Sequence, residues 1–119
     1  MNQMTDGHTV QRFNDEMNQL HQHVMQIGEL VRDQLRRGVA SLKDEDADAA
    51  REVIERDQLV NDLDIEVDDE LVHIIAKRQP MARDLREILT VGKIVTDLER
   101  CGDEARKIAI LCVHFYDHN

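Results

Sequence analysis

Apolar residues recur along this chain in alternating steps of three and four. From Thr9, a residue type suited to helix N-capping, they fall at Val10, Phe13, Met17, Leu20, Val24, Ile27 and Val31. That spacing is the packing stripe of a helix. It continues less strictly through Leu35, Val39 and Leu42, with Gly28 and Gly38 weakening the helix while easing close approach of a neighbour. Lys43-Asp44-Glu45-Asp46 then forms a charged connection in which Asp44 or Asp46 can cap the next helix. The second stripe is Val53, Asp57, Val60, Asp64, Val67, Leu71 and Ile74. Gln79-Pro80 ends it, because proline disfavours the α region for the residue before it and suits the first turn of a new helix. A third stripe runs through Met81, Leu85, Ile88, Gly92, Val95, Glu99, Gly102, Arg106, Ala109, Val113 and Tyr116. The pattern predicts helices over 9–42, 46–78 and 81–116, between a flexible N-terminus (1–8) and a tail (117–119). Each helix is about 50 Å long at about 1.5 Å per residue. Connections this short force neighbours to be antiparallel. The expected fold is all-α, an antiparallel three-helix bundle of long helices forming one domain over 9–116.

Composition agrees with that picture and narrows the function. Among 119 residues, aromatics are 3% and Trp is absent, so the core must be built from Leu, Ile, Val, Met and Ala. Strands favour aromatic and β-branched residues, which makes a β-sandwich a poor fit. Charged residues at 34% and a single proline favour long solvated helices. The net charge of −10 repels a phosphate backbone, so nucleic acid is not an expected partner. No apolar run approaches the roughly 20 residues that span a bilayer, and the first residues lack a signal peptide's apolar stretch. The expected location is cytoplasmic, without direct membrane insertion. Cys101 and Cys112 would lie about three turns apart on one helix, too far to bridge, and are expected to be reduced and structural.

Asp57, Asp64 and Glu99 interrupt the stripes where a simple bundle would place Leu or Ile. A buried lone carboxylate costs several kcal/mol unless it is paired or coordinated. Counting equal distances from the Gln79-Pro80 corner sets Glu99 level with Val60-Asn61, and Asp103 level with Arg56-Asp57. Asp57-x-x-x-Asn61 then faces Glu99-x-x-x-Asp103, each an i, i+4 pair on one helix face. Such an oxygen-only set suits Mg²⁺, Mn²⁺, Ca²⁺ or ferric iron. The competing reading is a polar patch bridged by Arg100 or Arg106, and from the residues alone it has the better claim.

Other arrangements carry less. Glu70-x-x-His73 matches the Glu-x-x-His element of di-iron bundles, but occurs once where that architecture needs two. It also falls off the stripe and reads as solvated surface. His114 and His118 are explained by the helix C-terminus, and His21 and His23, two apart, do not share a helix face. No catalytic constellation stands out, so an enzyme is not expected.

Three segments carry a resemblance. Ile75-Ala76-Lys77-Arg78-Gln79-Pro80, Asp84-Leu85-Arg86 and Asp97-Leu98-Glu99-Arg100-Cys101-Gly102-Asp103 closely resemble the PhoU family of phosphate-specific transport accessory proteins. Phe13, Met25, Gly28, Val31 and the run Val53-Ile54-Glu55 to Asp57 also match. The resemblance implies one three-helix unit of a family that usually carries two. It implies metal binding at Glu99 and Asp103, with Asp57 and Asn61 as the counterpart on the second helix and Asn61 where an acid is often found. The cofactors it admits are metal ions: iron, Mn, Mg or Zn.

For function, the resemblance implies a cytoplasmic negative regulator of phosphate uptake and of the phosphate-starvation response. It would be an adaptor between the ATPase subunit of the phosphate transporter and the sensor histidine kinase. Arg78, Gln79, Arg83 and Arg86 concentrate positive charge on an acidic molecule and are the candidate docking surface; pairing with Asp84 and Glu87 would leave that corner inert. Leu59, Leu63 and Leu111 lie off the stripes and suggest an apolar flank, hence a homodimer. The alternatives are a metal-binding or metal-storage bundle and a purely structural interaction module.

Overall fold

The computed structural model describes residues 3–118, with side chains from 10 onward. Three helices run in sequence: α1 (Gln3–Lys43), α2 (Ala47–Arg78) and α3 (Ala82–Tyr116). Each packs against both others in an antiparallel rod of 70 × 19 × 17 Å. α1 is already helical at Gln3, so Thr9 stands inside it rather than at its cap. Nothing between them breaks a helix except Gly7, which costs only about 1 kcal/mol. Met1, Asn2 and Asn119, parts of the expected flexible ends, lie outside the described residues.

The core keeps to the stripes in one half of the rod. Met17, Leu20, Ile27 and Val31 of α1 meet Val60, Val67, Leu71 and Ile74 of α2 and Ile88, Val91 and Val95 of α3. Towards the other end the interior narrows to Ala50, Val53, Ala109 and Cys112. There the α1 stripe shifts by one position. Gln34, Gly38 and Ser41 turn inward, and Val39, 54% exposed, turns out. Gly38 favours the change: a Cβ there would lie 3.2 Å from the Ala105 carbonyl oxygen, a tight contact that glycine relieves where α1 meets α3. The α3 stripe drifts likewise, burying Ala105 and Cys112 and leaving Arg106 half-exposed. Met81, placed on the stripe by its spacing, is 78% exposed.

Inside the narrow end, Gln34 Nε2 and Ser41 Oγ reach backbone carbonyls, while Gln34 Oε1 has no partner among the described residues. Gln34 Nε2 donates to the Val53 carbonyl at 2.6 Å, tying α1 to α2. Cys112 Sγ lies 3.3 Å from the Ser41 carbonyl, and both cysteines are free thiols.

The corners are built differently. Asp46 caps α2, its carboxylate accepting from the Ala49 amide at 3.0 Å. α1 ends in a Schellman arrangement: the Asp46 amide donates to the Ser41 carbonyl at 2.9 Å and the Glu45 amide to the Leu42 carbonyl at 3.3 Å. The left-handed residue of that motif is Glu45, φ 56°, where glycine is favoured. At the second corner, Gln79 is left-handed (φ 45°) rather than extended, and Met81 is the N-cap of α3. Pro80 therefore lies between the two caps and not in the first turn of α3.

Glu45→Gly should stabilise the chain by about 1 kcal/mol, because it relieves the left-handed side-chain penalty while keeping both hydrogen bonds. Urea unfolding measures this directly; a lowered midpoint would contradict the motif.

Candidate functional site

The carboxylates that interrupt the seam gather along the line where α2 meets α3. A groove of about 490 Å³ there is lined by Asn61, Asp64 and Asp68 of α2 and Glu99, Arg100 and Asp103 of α3. The helices meet about one turn away from the register counted off the corner. A Cβ on Gly102 would lie 3.5 Å from Val60 Cγ1, and one on Gly92 would lie 3.7 Å from Leu71 Cδ1. Gly102 is thus level with Val60, and Glu99 moves towards Asp64. A mirrored register requires a symmetric corner, whereas Gln79 (φ 45°) and Ala82 (φ 53°) both take left-handed backbone.

That slide separates the expected ligands into two groups. Asp57 and Asp103 belong with Arg106. The guanidinium lies 2.5 Å from Asp103 Oδ1 and 3.7 Å from Asp57 Oδ2, and Lys107 adds a 3.3 Å contact to Asp103 Oδ2. The Arg106 hydrogen bond, helped by Lys107, holds the Asp103 carboxyl below its ordinary range. Asn61 Nδ2 lies 3.4 Å from Asp57 Oδ2, a weak contact between exposed groups. The arginine-bridged patch is therefore present, at this level of the rod.

One turn nearer the corner, the balance reverses. Asp64 is 6% exposed, and its Oδ1 has no hydrogen-bond partner among the described residues. Burial is the main cause that pushes its pKa up to about 7; the charges of Glu99, Asp68 and Asp57 add to it. Burial, and then Asp68, also raises the pKa of Glu99. No lysine or arginine forms an ion pair with Asp64, Asp68 or Glu99 among the described residues. Three carboxyl groups thus face one groove, and Arg100, the guanidinium lining it, forms an ion pair with none of them. The stripe marks Asp64 as an interruption but misses Asp68, which lies off it. A signal for Asp68 exists in the sequence: Asp64-x-x-x-Asp68 repeats the i, i+4 spacing of Glu99-x-x-x-Asp103.

The basic corner is less open than its sequence suggests. Arg78 is half-buried and its Nε lies 2.6 Å from Glu16 Oε1. Glu87 is engaged by His21 at 3.2 Å rather than by an arginine. Gln79, Arg83 and Arg86 are exposed, and neither Arg83 nor Arg86 forms an ion pair among the described residues.

Comparison with known proteins places these features in a family. A family model described as the PhoU domain matches residues 24–111. The chain is 41% identical over 107 residues to the phosphate-specific transport system accessory protein PhoU homolog of a Burkholderia species, covering 90% of this chain and 46% of the relative. It is 41% identical over 101 residues to the PhoU protein of Escherichia coli strain K12, covering 85% and 42% respectively. The crystal structure of PhoU from Pseudomonas aeruginosa superposes with a TM-score of 0.85 at 39% identity, over 90% of this chain and 51% of that one. The chain spans about half the length of the curated relatives it matches.

Asp64 generates a pH prediction. An aspartate loses its proton near 3.8 when unfolded and near pH 7 in this fold. Between those values the folded chain binds more protons than the unfolded one, so the contribution of Asp64 to stability falls as pH rises. In chelator-treated protein, Asp64→Asn should match the parent chain near pH 4 and exceed its stability by about 2 kcal/mol at pH 8. Denaturant unfolding at the two pH values measures the difference; an equal effect at both would show that Asp64 ionises normally.

Proposed function

The chain belongs to the PhoU family, and we propose that it acts as a negative regulator of phosphate uptake and of the phosphate-starvation response. In this reading it works in the cytoplasm by contact, as an adaptor between the ATPase subunit of the phosphate transporter and the sensor histidine kinase. The observation that carries it is the PhoU match over 24–111. The relatives' shared name, phosphate-specific transport system accessory protein, assigns them to that system. The shape is compatible: a 70 Å rod offers long helix faces for docking, and no described helix is long and apolar enough to cross a membrane. Arg83 and Arg86, with Gln79, supply an exposed basic corner on an acidic molecule. Arg78 serves that corner from behind through Glu16.

We also assign a metal ion to the α2–α3 groove; binding there would have to draw Asp64, Asp68 and Glu99 together, because their oxygens do not form a ready ligand cluster. Asp64 presents a buried oxygen without a partner, and the neighbouring carboxylates repel one another until a cation enters. Asp64, Asp68 and Glu99 would hold it, with Asn61 and Asp103 at the rim and Asp57 turned towards Arg106. The all-oxygen set suits Mg²⁺, Mn²⁺ or iron better than a thiophilic ion. Bound there, the ion supplies charge neutralisation and clamps α2 to α3.

A reporter for phosphate-starvation genes, in a strain lacking its own regulator of this family, tests the proposal. Expression of this chain should restore repression in high phosphate. No repression, together with no co-purification of either partner, would reject the adaptor role. In the purified chain, Mn²⁺ should raise Tm at pH 8, and Glu99→Gln should abolish most of that rise; equal shifts in both proteins would reject the groove as the metal site.

Self-association is the second element of the reading. Leu59 and Leu111 are 51% and 46% exposed, and Leu63 is half-buried beside an apolar groove with Met25 and Leu30. We propose that the apolar groove lined by Met25, Leu30 and Leu63 pairs with a second three-helix unit, a second copy of this chain. Sedimentation equilibrium should give twice the 13.8 kDa chain mass; a monomer at high micromolar concentration would refute pairing between copies.

A further inference from the structure

A second constellation lies on the opposite flank of α2, towards α1. Glu66 and Glu70 are one turn apart on α2, and His23 of α1 stands level with them. One ligand atom from each of His23, Glu66 and Glu70 lies within 4.8 Å of the others. His23 Nδ1 is in direct contact with Glu70 Oε1, and the two side chains are 19% and 22% exposed. The three line a groove of about 440 Å³ between α1 and α2, beside Glu16 and His73. The nearby guanidinium of Arg78 is committed to Glu16 at 2.6 Å, and His73 Nε2 contacts the same carboxylate at 2.9 Å. No lysine or arginine forms an ion pair with Glu66 or Glu70 among the described residues. Glu66 and Glu70 are each two positions from Asp64 and Asp68, about 200° around the helix. The two acidic sites of α2 therefore do not share ligands.

We propose that His23, Glu66 and Glu70 form a divalent transition-metal site that clamps α1 to α2. The donor set decides the class of ion. One imidazole nitrogen with two carboxylates suits Zn²⁺, Co²⁺, Ni²⁺ or Fe²⁺, whereas Mg²⁺ and Ca²⁺ prefer oxygen alone. The spacing fits as well. Donors of a tetrahedral ion at about 2.1 Å are about 3.4 Å from one another, so the His23–Glu70 contact opens and Glu66 rotates inward to hold one. Three protein ligands leave a position for water, as in open metal sites. The ion also removes the repulsion between two glutamates at i, i+4. Glu70-x-x-His73 does not act as one element here: Glu70 turns to His23, and His73 turns to Glu16.

Chelator-treated chain titrated with Co²⁺ tests the site, because visible absorption reports the coordination geometry and histidine ring NMR identifies the ligating residue. The parent chain should show a saturable band and a selective shift of the His23 ring signals. His23→Ala and Glu70→Gln should each weaken binding at this site at least about tenfold, while Glu99→Gln, in the other groove, should leave it within about twofold. Circular dichroism checks that the variants remain helical, and the ring NMR of the parent chain stands even if one does not. Unmoved His23 signals at saturating Co²⁺, or unchanged affinity in folded His23→Ala, would overturn the site and leave the contact a histidine–glutamate pair only. Neither outcome bears on the phosphate reading, which rests on the family match, or on the oxygen-lined groove at the other face of α2.

Discussion

Three helices of roughly 50–60 Å share one narrow seam, and the chain has few large rings with which to fill it. Shape therefore has to come from how closely the backbones approach. In one half, Leu, Ile, Val and Met hold the helices apart at ordinary packing distance. In the other, Gly38 against Ala105, together with Ala50 and Ala109, lets them close in. Close approach selects which residues turn inward. It explains why Gln34 and Ser41 occupy core positions while Val39 faces solvent, and why Gln34 must reach the Val53 carbonyl.

The carboxylates lie in the wider half. Across the groove from Glu99, Asp64 is buried between Val60 and Val67. Its charge is disfavoured by burial first and by its neighbours second. Four residues further along the rod from Asn61, Asp57 has the opposite fate, because Arg106 reaches both it and Asp103. About two turns of α2 thus separate an aspartate beside a guanidinium from one that burial holds towards its protonated form. On the far flank of α2, His23 brings a nitrogen to Glu66 and Glu70, so a second site would select a different class of ion.

Much of this was legible in the residues. Stripe spacing predicts three helices, Asp46 is recognisable as a cap, and the proline marks the second corner. The Glu-Arg-Cys-Gly-Asp element and the Arg-Gln-Pro corner carry the family resemblance that the comparisons confirm. The register was less legible. A mirror placed at Gln79-Pro80 assumes that the two helices leave the corner alike, but left-handed backbone at Gln79 and Ala82 makes it asymmetric. The resulting slide of about one turn pairs Glu99 with Asp64 rather than with Asn61. The fate of Arg78 was also hidden, since its partner Glu16 is 62 residues away in sequence.

By itself, the sequence determined the helices, their antiparallel order and the presence of acids within the seam, because each depends on periodicity and local backbone preference. Tertiary structure decided which acids meet. Opposition across a seam depends on corner length and on how closely glycine and alanine allow the helices to pack, and a shift of one turn moves a carboxylate from an arginine to another carboxylate. That is why Asp57 was readable as a candidate ligand, yet only the assembled bundle pairs Asp57 with Arg106 and leaves Asp64 Oδ1 without a partner among the described residues.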